Sequence, residues 1–442
     1  MKAKHYCSLL GGLSLVTAGF LFMHYTADAK GGADSGSLPA LVRLTTSSRP
    51  DDSEIAVKKL RAAGPAGLKA LSEVYSNQIA RHLEAAGAGK PLADDRSWER
   101  IRTAFDAVGA QRDDYASQLF WYTDLESAKA AARESGRPIL SLRLLGKLDE
   151  EYSCANSRFF RTTLYANARV SDYLRQHYIL HWQSVRPVPR ITIDMGDGRK
   201  IERTITGNSI HYILDADGNP VDALPGLYGA QAFLDGLARA EAVEQKAAKL
   251  PGYAQGEFVR RYHENRLAEI QRQWAHDLAE VSTNGSMGGI SPVAVPAAPD
   301  CRQLEALTSD ATWQAIAALH RGDAFLDGVA YNLIASKEPQ PMLVKAMGRA
   351  TSKGLVETPM MKLISNLQQS TAVDTVHNEY QLHSQIHEWF ADESAPKGLD
   401  ALNQKIYAEL FLTPDSDPWL GLAPADRFSA LDHGGFVKTT TR

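Results

Sequence analysis

The sequence has little net charge, few cysteines and only one long apolar run. A formal charge of -4 over 442 residues is no polyanion-binding signature, so no nucleic-acid partner is expected. Apart from the run near the N-terminus, no stretch offers itself as a membrane span. Neither a Walker loop nor a Gly-x-Ser-x-Gly elbow is present. The acids of "TPDSDPWLGL" (Thr413 to Leu422) do not have EF-hand spacing. "MGDGRK" has glycines and a basic residue but lies between strand-like stretches, with no helix after it to cradle a phosphate. No cofactor is expected. The composition, 44% apolar and 23% charged, is that of a globular chain long enough for several packed cores.

The one apolar run bears on the compartment. Lys2 and Lys4 precede "SLLGGLSLVTAGFLFM", and "ADA" ends at Ala29 before a Gly/Ser-rich stretch. Charged start, short apolar middle and small residues at the cut read as an export signal over residues 1–29, with a linker at 30–37. Export to a periplasm is the expected localisation, and an uncleaved signal would be the only membrane attachment. Of the three cysteines, Cys7 lies within the signal. Cys154 and Cys301 remain after cleavage, either free or paired with each other.

Patterning divides the rest. Residues 38–117 read as helical: Ile55, Leu60, Leu68, Leu71 and Val74 mark two short amphipathic helices split by Gly64-Pro65, and Trp98, Ile101, Phe105 and Val108 mark another. From 118 to 243 strands and helices alternate. Thr123 with Glu126 suggests a capping box, "ILSLRLL" and "YILHW" read as strands, and two hairpins turn at Gly196 to Gly198 and at Asp217-Gly218. A long amphipathic helix over 244–282 carries Phe258, Tyr262, Leu267, Ile270, Trp274 and Leu278. A Gly/Pro linker at 283–299 leads to a mainly helical segment, 300–442.

Trp121, "AKAAARESGRPIL", a cysteine soon after the first strand, a helix starting just past it and a later strand ending in "LDADGNPV" together resemble the thioredoxin-like superfamily. The resemblance covers about residues 118–243. It implies an α/β sandwich, a central mixed sheet flanked by helices, with the all-α N- and C-terminal regions as additions. It also implies a thiol site at a helix N-terminus, where unpaired N–H groups favour a thiolate. The nucleophile then falls on Cys154. The resolving position falls on Ser157, which cannot resolve a disulfide and is left as a helper. The place of the family's groove-shaping cis-proline falls on Asn208 or Ser209. The linker "GKLDEEYS" is acidic, and Asp149, Glu150 and Glu151 would oppose a thiolate.

Two functions of different classes follow. Cys154 is either a monothiol that attacks a partner disulfide, with a small thiol or an envelope protein completing the exchange, or an inherited cysteine in a non-catalytic binding or assembly protein of the envelope. A third reading rests on Glu379, His383 and His387, spaced four and four on one helix face, a weak candidate for metal binding. The bland reading of that row is a polar contact between helices.

Overall fold

The computed structural model describes residues 38–92, 96–205, 207–283, 309–337, 352–422 and 430–431. The expected signal 1–29, the linker 30–37, Cys301 and all of the 283–299 linker after Thr283 lie outside the described residues. No described helix is long and apolar enough to cross a membrane.

The N-terminal region forms α1 (Leu38–Leu44), α2 (Pro50–Ala62), α3 (Pro65–Gly87) and α4 (Arg96–Gly109). Gly64 adopts a φ of 66° at the α2–α3 junction, and Pro65, needing no N–H partner, begins α3. Leu60, Leu68, Leu71, Trp98, Ile101, Phe105 and Val108 are buried together. Ile55 and Val74, placed on the same stripe by the sequence, are exposed. Each lies one residue, about 100° of helix, off a row that runs through Ala56 and Leu60 in α2 and through Leu71 and Tyr75 in α3.

A short α5 (Asp114–Ser117) leads into β1 (Trp121–Tyr122). Helix α6 (Leu125–Ser135) opens at Asp124, whose carboxylate accepts from the Ser127 amide at 2.8 Å. Thr123, the cap suggested by the sequence, therefore sits one residue outside, and the Asp124 carboxylate satisfies the orphan amide. After β2 (Ile139–Leu145) come α7 (Ala155–Phe159), continued by a π-helical turn to Leu164, and α8 (Ala168–His177). Strand β3 (Ile179–Arg186) follows, then the hairpin β4 (Arg190–Asp194) and β5 (Lys200–Thr204), then the hairpin β6 (Ser209–Leu214) and β7 (Pro220–Pro225), and α9 (Ala230–Ala247).

The main sheet has the order β1-β3-β2-β6-β7. Strands β1, β3 and β2 are parallel; β6 runs antiparallel to β2, and β7 antiparallel to β6. The chain is thus a mixed α/β protein, with the sheet as the seat of its largest core. β2 is buried along its whole length, as a central strand read from an apolar run should be.

The C-terminal part contains α10 (Gly252–Thr283), α11 (Asp310–Leu319), α12 (Gly328–Lys337) and α13 (Ser352–His377). A π-helical segment, Asn378–His383, runs into α14 (Ser384–Ala391), and α15 (Leu399–Lys405) runs into a π turn ending at Leu410. These helices serve several cores, among them a small one around Ile334 and Ala335. Ile386, Trp389, Leu402, Ile406 and Tyr407 belong to the sheet's core, Leu333 joins the N-terminal helices, and Ile270, Trp274, Trp313 and Val376 form a third.

That third core is pinned by an ion pair. Asp277 on α10 accepts from His320 Nε2 at 2.7 Å and from the Tyr380 hydroxyl. Hydrogen bonds to Asp277 and Asp323 outweigh burial and raise His320 to about 9. A histidine raised on folding contributes stability that is complete below its ordinary value near 6.5 and is lost as pH rises through about 9. The urea midpoint of the wild-type protein is therefore expected to fall between these pH values, and that of His320→Asn to be flatter. Parallel curves would show that the pair contributes nothing.

Candidate functional site

The chain returns to the sheet at Cys154, whose amide donates to Leu145 O at 3.3 Å, and α7 starts at the next residue. Cys154 Sγ accepts from the Ser157 amide at 3.4 Å. The Ser157 hydroxyl turns instead to Ser153 Oγ, 2.9 Å away. The thiol is 0% exposed, and burial pushes its pKa up against the smaller pull of the Ser157 amide. The helix N-terminus is in place, but desolvation wins, and a thiolate is disfavoured.

Aromatic residues and the C-terminal segment close this region. Tyr165 and Tyr407 belong to the same buried core as Cys154, and burial chiefly pushes up both phenols. Tyr407 OH donates to Asn208 O at 3.2 Å, and Asn208 Nδ2 donates to Thr413 Oγ1 at 3.1 Å. Arg186 holds the carbonyls of Thr413, Pro414 and Asp417. Ser209 Oγ accepts from Asn156 Nδ2 at 3.0 Å. Ser209 thus meets Asn156, two residues after Cys154, and the polar groups of Asn208 and Ser209 are engaged by the chain itself.

Beside this sealed region the β4–β5 hairpin stands apart from the main sheet. Its register pairs Ile193 with Ile201 and Arg190 with Thr204. Strand alternation then puts Ile191, Ile193, Ile201 and Arg203 on one face, and Arg190, Thr192, Asp194, Lys200, Glu202 and Thr204 on the other. The three isoleucines are 37%, 45% and 38% exposed. Thr204 Oγ1 donates to Ser153 O at 3.1 Å, and the Arg190 guanidinium lies 4.7 Å from the centre of the Tyr152 ring, fixing the hairpin's base.

The histidine row is rearranged. His383 Nδ1 is 2.9 Å from Glu379 Oε2, as their spacing suggests, while its Nε2 is 3.1 Å from Asp222 Oδ1 on β7. His387 meets a residue from another helix: its Nδ1 is 2.7 Å from Nδ1 of His263 on α10. Asp222 also accepts from the Ala223 amide at 2.8 Å and from the Tyr262 hydroxyl. Arg266 pairs with Glu379. Asp222, His263, His383 and His387 are all buried.

Their charges follow from this packing. Burial opposes the charge on His383, but Glu379 and Asp222 prevail and raise it to about 9. Burial also opposes the two carboxylates; the surrounding histidines hold Asp222 well below the usual range, and His383 with Arg266 and Arg239 does the same for Glu379. Burial lowers His263 to about 4 and His387 well below its ordinary value. The cluster is therefore an imidazolium between two carboxylates, abutting a pair of neutral imidazoles. Asp222, His263 and His387 each bring one donor atom within 4.8 Å of the others.

Asp222 and His263 were not among the residues singled out by sequence. A signal for His263 exists: it falls in step with the buried row Ile270, Trp274, Asp277 and Val281 of α10, where a polar residue must find a partner. Asp222 has no comparable mark beyond its place in a buried strand.

These features define a mixed α/β protein with a sealed cysteine and a buried histidine–carboxylate cluster. No protein-family model matches the chain, and neither a curated protein nor a solved structure matches it.

Proposed function

We propose that the chain is an exported, non-catalytic binding or assembly protein of the cell envelope, built on a thioredoxin-like sheet and docking an envelope protein on its β4–β5 hairpin. The thioredoxin-like part of this reading is supported by the strand order β1-β3-β2-β6-β7, with the last two strands antiparallel, and by the helix that starts after Cys154. The observation that carries the binding role is the hairpin's apolar face. An amphipathic ribbon ordinarily turns such a face to its own core; here Ile191, Ile193 and Ile201 face solvent, and neither strand has a third strand beside it among the described residues. Open edges with alternating apolar side chains suit an extended segment of another chain, whose main chain supplies the hydrogen bonds and whose apolar side chains meet the isoleucines. Thiol–disulfide exchange at Cys154 finds no support in this geometry, because a fully buried thiol with a raised pKa offers no thiolate to a partner disulfide.

Site-specific photocrosslinking in the producing cells tests the reading. A probe at Ile193 is expected to yield an adduct with one envelope protein, lost on Ile191→Lys, while a probe at Thr192 on the opposite face yields none. No adduct at either position, or equal adducts at both, would sink the proposal. A homodimer adduct would assign the face to a second copy of the chain and overturn the envelope-partner reading.

A further inference from the structure

We infer that Asp222, His263 and His387 form a buried site for one divalent transition-metal ion of the zinc class, tying β7 to α10 and α14. This does not depend on the hairpin. It also differs from the row visible in the sequence: of Glu379, His383 and His387, only His387 is a ligand.

The hydrogen bonds dictate which nitrogens are available. His263 Nε2 lies 3.0 Å from Val221 O, a carbonyl that can only accept, so Nε2 carries the proton and Nδ1 presents a lone pair. His387 Nδ1 is 2.7 Å from that lone pair. Two bare nitrogens do not sit so close, so a proton lies between them; an ion held by both at about 2.0–2.1 Å would take that proton's place and spread the two nitrogens to about 3.3 Å. The His387 ring packs on His383, with centres 4.0 Å apart, and its buried Nε2 has no hydrogen-bond partner. Presenting Nδ1 to an ion moves its proton to Nε2, at the cost of the histidine–histidine bond and of an unpartnered buried N–H, which the metal–ligand bonds must outweigh. Asp222 supplies a carboxylate oxygen within 4.8 Å of a ring nitrogen of each histidine.

The surroundings are those of a built site. His263 is oriented by the Val221 carbonyl, and Asp222 by His383, which Glu379 holds from its other nitrogen. Ligands steered by carbonyls and by a carboxylate–histidine chain are the usual outer shell of a metal centre. Phe390 stacks on His263 with ring centres 4.4 Å apart, which keeps the imidazole in place. Two imidazoles and one carboxylate select an ion such as Zn2+ over Mg2+ or Ca2+, which prefer all-oxygen sets. The burial of all three side chains marks a cross-link within the fold, closed to substrate.

The test uses the full chain purified without a histidine tag. About one equivalent of Zn2+ per chain is expected, raising the thermal midpoint reversibly with chelator, while Mg2+ and Ca2+ have no effect. His383→Gln, which alters the outer shell, is expected to weaken Zn2+ by about 10–100-fold. His263→Gln and His387→Gln are expected to weaken it further, and His276→Gln, at an exposed position, to leave it unchanged. Should the ligand variants misfold, the wild-type protein loaded with Cu2+ still reports its donors: paramagnetic resonance is expected to show two coupled imidazole nitrogens. No stoichiometric metal on the wild type, a signal without paired imidazoles, or Zn2+ binding retained in both folded ligand variants would overturn the site.

Discussion

Asp222→Ala, in metal-free protein, is expected to lower the unfolding free energy by about 3–5 kcal/mol, the range for breaking a buried ion pair from one side. The substitution leaves the His383 imidazolium with Glu379 as its only carboxylate, strips the Tyr262 hydroxyl of its acceptor and opens a void beneath two neutral histidines. Asp222→Asn keeps the volume and one acceptor oxygen, so its cost is expected to be smaller. Urea denaturation at pH 7 reads both. Equal losses for the two variants would mean that shape, not charge, makes Asp222 important.

Tyr407→Ala is expected to speed alkylation of Cys154 by about 100-fold or more at pH 8. Labelling of a buried thiol proceeds through openings of the structure, and its rate follows the population of the open form. Removing a buried aromatic side chain costs about 3–5 kcal/mol, and each 1.4 kcal/mol is a factor of ten when the opening releases that contact. Tyr407 shares the buried core of Cys154 and bonds Asn208, so release of the π turn after α15 is the expected route to the thiol. The wild-type thiol should label slowly, with an apparent pKa above that of a free cysteine. An unchanged rate in Tyr407→Ala would place the route to Cys154 elsewhere.

The elements were legible wherever one face or one strand is uniformly apolar. "ILSLRLL" reads as a buried strand and is one, and Trp98, Ile101, Phe105 and Val108 mark a buried helix face. Both hairpins were marked by their turn glycines, Gly196 and Gly198 in one and Gly218 in the other, all at positive φ. Contacts across long sequence separations were not legible. The position of Cys154 at a helix start follows from local pattern, but no local rule brings Tyr407 into the same buried core. In the same way Glu379 and His383 are one helical turn apart and visible as a pair, whereas His387 found its partner on another helix, His263, through tertiary packing. The π-helical segment over Asn378–His383 also shifts the register that an uninterrupted α-helix would give the row.

The bond from Tyr407 to Asn208 spans 199 positions of sequence. Contacts of such separation form late, since the loop between them must first be closed. The sheet and α7 can therefore be assembled while residues 399–414 are still undocked, and during that interval the sulfur of Cys154 is open to any oxidant or foreign thiol it meets. Were that docking the last step, the yield of correctly finished molecules would depend on how quickly it follows synthesis.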